Sequence, residues 1–348
     1  SGGITPDHYK VKNYHLRTWK EFLTINKLIN KPLDKIHPNA CKNFGLWLLN
    51  KPKQTALHKR GRSIEVINDT INEIVRMYYQ IAKGTYLQES QLPVIDRLKQ
   101  KPDDSFKRDI LTNEQYEKFW KYCRHTYCAK KHNKDQPDAE LLKRKIFTEF
   151  IMIIANVGFR SKELLGLKVG EISEGEGWDE KKKKTHIVMK VRKENSKTGK
   201  GRLCVAPVKE RVQKVIKHYK ELGIKLDKTD YLFMNPTSKT RKNYGRMIMY
   251  NRLKQVFRES GLQNEFDKEN KNVSLYSFRH QYACWRLRFG DVPIHLLAKQ
   301  MGTSVSKIES TYGHIMVVEQ ADQITKNQEY LRRMDIILDT PEVVEEDD

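Results

Sequence analysis

Apolar positions along the first part of the chain recur at helical spacing. Ile64, Ile67, Ile71, Ile74, Tyr78 and Ile81 alternate steps of three and four and predict one apolar stripe. Ser63 is a natural N-cap for that helix and Gly84 a natural stop. Trp19, Phe22 and Leu23 mark an earlier helix, and Phe44, Trp47 and Leu48 another, so residues 12–102 read as an all-helical domain behind a short extension, 1–11. The polar stretch "RLKQKPDDSFKRD" reads as a linker. A second domain, 106–335, opens with Thr112 and Gln115 in capping-box spacing and Leu111 and Tyr116 placed for a hydrophobic staple. "IFTEFIMIIANVGF" predicts a fully buried helix ending at Gly158. Two β-type runs in "THIVMKVRKENSKTGKGRLCVAPV" predict a hairpin, and from 240 onward the pattern is helical again. The expected fold is therefore mostly α in two domains, the second α+β with a small antiparallel sheet. The tail, 336–348, is acidic and reads as a solvated end.

Charge then narrows the partner. Of 348 residues 66 are Lys or Arg and 44 Asp or Glu, a net charge of +22. Such a field attracts polyanions and releases counterions from each phosphate it neutralises, so nucleic acid is the expected partner. Lys51, Lys53, Lys59, Arg60 and Arg62 approach a helix N-terminus, where backbone N–H groups also favour phosphate; they are candidate DNA-backbone contacts, with a solvated basic loop as the alternative. Five cysteines without framework spacing suit a reducing, cytoplasmic setting. Cys123, Cys128 and His132 do not share one helix face, so no metal site is expected there. No apolar run approaches the roughly 20 residues that span a bilayer, and Ser1-Gly2-Gly3 reads as a cloning remnant.

Candidate chemistry lies in three segments: "GFRSKELLGLKVGEI" with Arg160, "SLYSFRHQYACWRLRFG" with Arg279, and "SKIESTYGHI" with Tyr312. In the second, Phe278, Tyr282, Trp285 and Phe289 form an apolar face that leaves Arg279 beside it. In the third, Val305, Ile308 and Tyr312 share a face, and periodicity alone favours Tyr312 as a core ring. Paired carboxylates spaced for a two-metal nuclease are not evident.

Taken in order, "GFRSKELLGLKVGEI", "SKTGKGRLCVAPV", "YSFRHQYACW" and "AKQMGTSVSKIESTYGH" resemble the tyrosine recombinase (phage integrase) family over roughly residues 106–330. The resemblance implies a core-binding domain at 12–102, a catalytic domain at 106–335, duplex DNA gripped by both, and a tetramer on DNA. It implies neither metal nor cofactor. Carried over by position, Arg160 and Arg279 are the phosphate clamp, Glu163 the partner of Arg160, Lys197 the general acid and Tyr312 the nucleophile. Where the family has histidine this chain has Tyr276, and after the glycine of the Leu-Gly-His segment it has Thr303; His280 and His314 are candidate substitutes. Lys193, Lys200, Arg202 and Arg241 complete the candidate DNA contacts. The expected activity is site-specific recombination of a mobile element; a DNA-binding regulator with a decayed site and a type IB topoisomerase are the competing readings.

Overall fold

The computed structural model describes residues 6–51, 62–99, 109–289 and 292–311. The chain divides into two compact units, Ser1–Lys107 and Arg108–Asp348.

In the first unit, α1 (Pro6–Ile25), α2 (Phe44–Asn50) and α3 (Ile64–Met77) surround an aromatic core of Trp19, Phe22, Phe44 and Tyr78. Trp19 packs edge-on against Phe44, with ring centres 4.9 Å apart, and its indole N–H donates to the Tyr78 hydroxyl. Buried aromatics of this size dominate the energetics of a small core. Ser63 caps α3, its hydroxyl accepting from the Val66 N–H at 3.3 Å. Ile67, Ile71, Ile74 and Tyr78 face the core as the stripe predicts, but Ile81 is 62% exposed and Ala82 is buried in its place. A π-turn over Tyr78–Ala82 explains the slip, because its wider winding carries the apolar face one residue further.

The second unit builds on α5 (Asp138–Val157), whose Ile146, Phe147, Phe150, Ile151, Ile153 and Ile154 are all buried. Before it, the Thr112–Gln115 capping box starts α4 (Asn113–Tyr122) and is made in both directions, at 3.1 and 3.2 Å. After it come α6 (Ser161–Leu165), β1 (Ile172–Ser173) and α7 (Glu180–Thr185). The antiparallel pair β2 (Ile187–Val191) and β3 (Arg202–Ala206) follows, with Met189 opposite Cys204. With β1 it forms a three-stranded antiparallel sheet in the order β1-β2-β3. Ile187, Met189 and Val191 alternate inward from β2, and Cys204 and Ala206 from β3.

The remainder is helical: α8 (Lys209–Glu221), α9 (Arg246–Glu259), α10 (Leu262–Lys268), α11 (Leu275–Phe289) and α12 (Ile294–Met301), then helix again over 305–311. The fold is thus mostly α with a small antiparallel sheet, as expected. In α11 the apolar stripe is only partly realised. Phe278 and Tyr282 are buried and Trp285 lies edge-on to Tyr116, while Phe289 is exposed. This helix packs against both α5 and α12, so it is enclosed on most sides, and Arg279 sits inside rather than beside the face. A smaller cluster of Tyr282, Leu287, Leu297, Met301 and Ile308 seats the end of the described chain on α11. Among the described residues no helix is long and apolar enough to cross a membrane.

Candidate active site

The Arg160 segment begins with a helix stop that only glycine fits well. Gly158 takes φ 74° in the left-handed region, and its N–H caps α5 on the Ile154 carbonyl. A Cβ there would stand 2.3 Å from the Tyr282 ring. Two residues on, Arg160 is the N-cap of α6, and Glu163 at the N3 position reaches back to its backbone N–H at 2.9 Å. The Arg-x-x-Glu spacing is thus the reciprocal half of a capping box, which satisfies one orphan donor of the helix start.

Glu163 is also the hub of a cationic cluster. It is 1% exposed, and its Oε1 accepts from Arg160 Nη1 at 2.9 Å. Arg202 binds both of its oxygens, at 3.1 and 2.8 Å. Arg279 Nη1 is 3.9 Å from Oε2. The two proposed clamp arginines therefore converge on one carboxylate. Burial pushes the Glu163 carboxyl upward, but the hydrogen bonds and charge of Arg202, the Arg160 backbone N–H and the Arg279 charge outweigh it and hold it below the usual carboxylate range. Arg279, itself 2% exposed, is shifted down by burial and by the neighbouring Arg160, yet a guanidinium keeps its proton at any relevant pH.

A second set of acceptors orders the same three side chains. Arg202 Nε donates to the Gln300 carbonyl at 3.0 Å, Arg279 Nη2 to that of Met301 at 2.8 Å, and both Arg160 Nη atoms to that of Gly302 at 3.2 Å. These are consecutive carbonyls at the C-terminal end of α12, where helix carbonyls have no partner of their own and the dipole is negative. Arg279 Nη1 also donates to the Gly158 carbonyl, so two helix ends that close on glycine feed this cluster. Gly302 is left-handed at φ 62° and ψ 54°, and the Thr303 N–H turns back to the Ala298 carbonyl.

Around the cluster, Tyr276 lies with its ring centre 6.0 Å from the Arg279 guanidinium carbon, and His280 meets that ring edge-on at 4.7 Å. Thr303 is half-buried just past Gly302. Lys197 is exposed in the connection between β2 and β3, as are Lys193 and Lys200. Tyr312 and His314 lie outside the described residues, as do Lys53, Lys59 and Arg60.

Several expected DNA contacts sit differently. Arg202 is 10% exposed in its side chain and turned inward onto Glu163. It therefore belongs to the inner cluster rather than the surface, because a bidentate pair with a buried carboxylate outcompetes solvent. Arg241, in a left-handed backbone position, forks onto Asp230. Lys51 packs over the Trp47 ring at 4.9 Å and pairs with Glu21, and Arg62 donates to the Tyr14 hydroxyl at 3.1 and 2.9 Å. Sequence reasoning missed Arg202 as the main partner of Glu163, and it missed the run of carbonyls at 300–302. Both pairings span long separations in the chain, which local patterns do not encode. Cys123 is buried in the core and Cys128 Sγ lies 3.3 Å from Thr148 Oγ1; among the described residues no group of His, Cys, Asp and Glu could hold a metal ion.

A family model described as "Phage integrase family" matches residues 109–317. Among curated proteins there is no match. Solved structures similar to this chain include XerH site-specific recombinase bound to difH substrate, at 18% identity and a TM-score of 0.56, covering 90% of this chain and 79% of that one. The Tn1549 transposon integrase in complex with transposon right end DNA is similar at 16% identity and 0.57, covering 93% and 95%. A lambda integrase dimer bound to a COC′ core site is similar at 15% identity and 0.56, covering 90% and 92%. At these identities the likeness is one of fold.

Proposed function

The chain belongs to the phage integrase family, the tyrosine recombinases, and from that premise we propose that it cuts and rejoins duplex DNA at specific sites through a phosphotyrosine intermediate. The observation that carries this is the meeting of Arg160 and Arg279, from distant segments, on Glu163 and on the end of α12, ahead of Tyr312 in the chain.

Cleaving a phosphodiester with a phenol sets three requirements. Tyrosine ionises near pH 10 and must give up its proton; a cationic surrounding favours the tyrosinate. Negative charge growing on the non-bridging oxygens needs donors already in place, which planar guanidiniums supply without reorganising. The departing 5′-oxygen needs a proton. In the proposed reaction the Tyr312 oxygen attacks phosphorus, the P–O5′ bond breaks, and Lys197 delivers its proton to O5′. Arg160 and Arg279 hold the non-bridging oxygens throughout. The product is a 3′-phosphotyrosyl ester and a free 5′-hydroxyl. Attack by a second 5′-hydroxyl reverses the step on a new partner strand, so exchange proceeds without ATP or metal. Tyr276 and Thr303 offer hydroxyls where the family has an imidazole or indole, and His280, edge-on to Tyr276, is the proposed proton acceptor for the phenol.

The DNA-bound states of the similar structures support duplex DNA as the partner, and from the family resemblance alone we assign four protomers to two sites. The test selects binding sequences from a random duplex pool with the full chain, then nicks the selected duplexes near each candidate phosphate so that cleavage cannot reverse. A denaturation-resistant protein–DNA adduct, lost in Tyr312→Phe, is expected. Adduct persisting in Tyr312→Phe removes the nucleophile assignment; tight binding with no adduct at any position makes the protein a DNA-binding regulator. Relaxation of plasmid lacking the selected sequence would favour a topoisomerase.

A further inference from the structure

The inner cluster holds one carboxylate and three guanidiniums, so what remains for a phosphate depends on which cation Glu163 neutralises. Its geometry singles out Arg202. Only Arg202 presents its planar fork to both oxygens, at 3.1 and 2.8 Å, the arrangement in which an arginine–carboxylate pair is strongest. Arg160 makes a single side-chain bond to the carboxylate, and Arg279 stands at 3.9 Å, beyond hydrogen-bond reach. Arg202 is then held from its other sides. Its Nε is bound to the Gln300 carbonyl, the Phe159 ring centre lies 5.6 Å from its guanidinium carbon, and Gly302 stands so close that a Cβ would come within 2.6 Å of Nη1. Its fork is already engaged by the carboxylate.

We infer that Arg202 is a positioning residue, which cancels the charge of Glu163 so that Arg160 and Arg279 keep theirs for the phosphate. This rests on the reading of those two arginines as the clamp. The charges follow directly. With Glu163 and Arg202 paired, the clamp presents two positive charges, matching the two negative charges of a pentacoordinate phosphorane. Remove Arg202, and the buried carboxylate turns to the two cations left beside it, cancelling one of them. The cost falls on the anion rather than on the fold of the DNA-binding surface, which separates this role from a DNA contact by Arg202 itself.

Inorganic phosphate, titrated against chloride at constant ionic strength, is the probe, and the thermal stability of the full chain is the readout. The part of the stabilisation that Arg160→Gln removes is the contribution of the site, distinct from diffuse binding to a +22 protein. Arg202→Met should weaken that part at least about tenfold, as expected for one charge lost a few ångströms from the anion. Arg202→Met combined with Glu163→Gln removes both charges together and should return phosphate affinity to within about threefold of the parent, the residual reflecting altered packing rather than charge. Arg202→Lys keeps the cation but cannot bridge both oxygens and Gln300. It should bind phosphate nearer to the parent than Arg202→Met, whereas a purely structural role would leave the two alike. Should Arg202→Met not fold, the double variant and Arg202→Lys still decide. Phosphate binding unchanged in folded Arg202→Met, a double variant as weak as the single, or no site-specific phosphate binding by the parent would each overturn the inference. A parent that binds phosphate at Arg160 yet forms no adduct with DNA would sink the recombinase reading alone and leave the Arg202 assignment standing.

Discussion

Replacing Gly302 with alanine tests how tightly the cluster is built. The backbone there is left-handed, which costs an L-residue about 1–2 kcal/mol. The new Cβ would also meet Arg202 at 2.6 Å from Nη1 and 2.7 Å from Cζ. A free arginine tip would swing aside at little cost. This one is fixed by two bonds to Glu163 and one to Gln300, so moving it sacrifices at least one charge-assisted hydrogen bond, about 1.5–3 kcal/mol. The total is about 2.5–5 kcal/mol. Gly223→Ala is the control, because Gly223 has φ +75° in the same unit and open space where the Cβ would go. It should lose only the backbone cost, about 1–2 kcal/mol. Urea unfolding of the two variants gives the comparison, and in a thermal melt the same difference appears as a Tm drop of roughly 10 °C against roughly 3–5 °C. Equal losses in the two variants would refute the claim that Gly302 and Arg202 are in tight contact.

Further outcomes follow from the same contacts. Because the Glu163 carboxyl is held below its unfolded value, its stabilisation is present above about pH 4.3 and is lost as pH falls through its folded value. Glu163→Gln should therefore flatten the acid limb of the stability–pH curve, measured by urea unfolding at successive pH values, and parallel curves would contradict this. Gln300 extends β3 by pairing with both backbone groups of Val205, at 3.2 and 2.9 Å, so Gln300→Ala should cost about 1 kcal/mol and speed hydrogen exchange at the Val205 amide. Lys197→Ala should slow adduct formation by about 10²–10⁴-fold, the usual worth of a general acid. A substrate with sulfur in place of the bridging 5′-oxygen, whose leaving group needs no proton, should recover most of that loss, and equal slowing on both substrates would remove Lys197 from the role.

Parts of this architecture are legible in the chain because they are local. Thr112 and Gln115 are three residues apart and make the box their spacing implies, and Glu163 repeats the reciprocal half of it on the Arg160 N–H at a second helix start. Gly158 falls after a long apolar run and ends it. What could not be read required knowing which way a helix turns or what packs on it. Ile81 leaves the core because the winding changes over one turn, and Phe289, the last residue of α11, is exposed although it continues the apolar stripe. Arg202 looks like any cation on a basic hairpin until Glu163 is found beneath it. For Tyr312 periodicity and resemblance point in different directions; Ile308, four positions earlier in the pattern, is buried, and Tyr312 itself lies outside the described residues.

The carbonyls that aim the three arginines come late. Arg160 precedes its acceptor on Gly302 by 142 residues and Arg202 precedes its own on Gln300 by 98. Until residue 302 has been synthesised Arg160 lacks the Gly302 carbonyl that aims it, so on the ribosome the three-arginine cluster assembles only after the last of its acceptors has joined the chain.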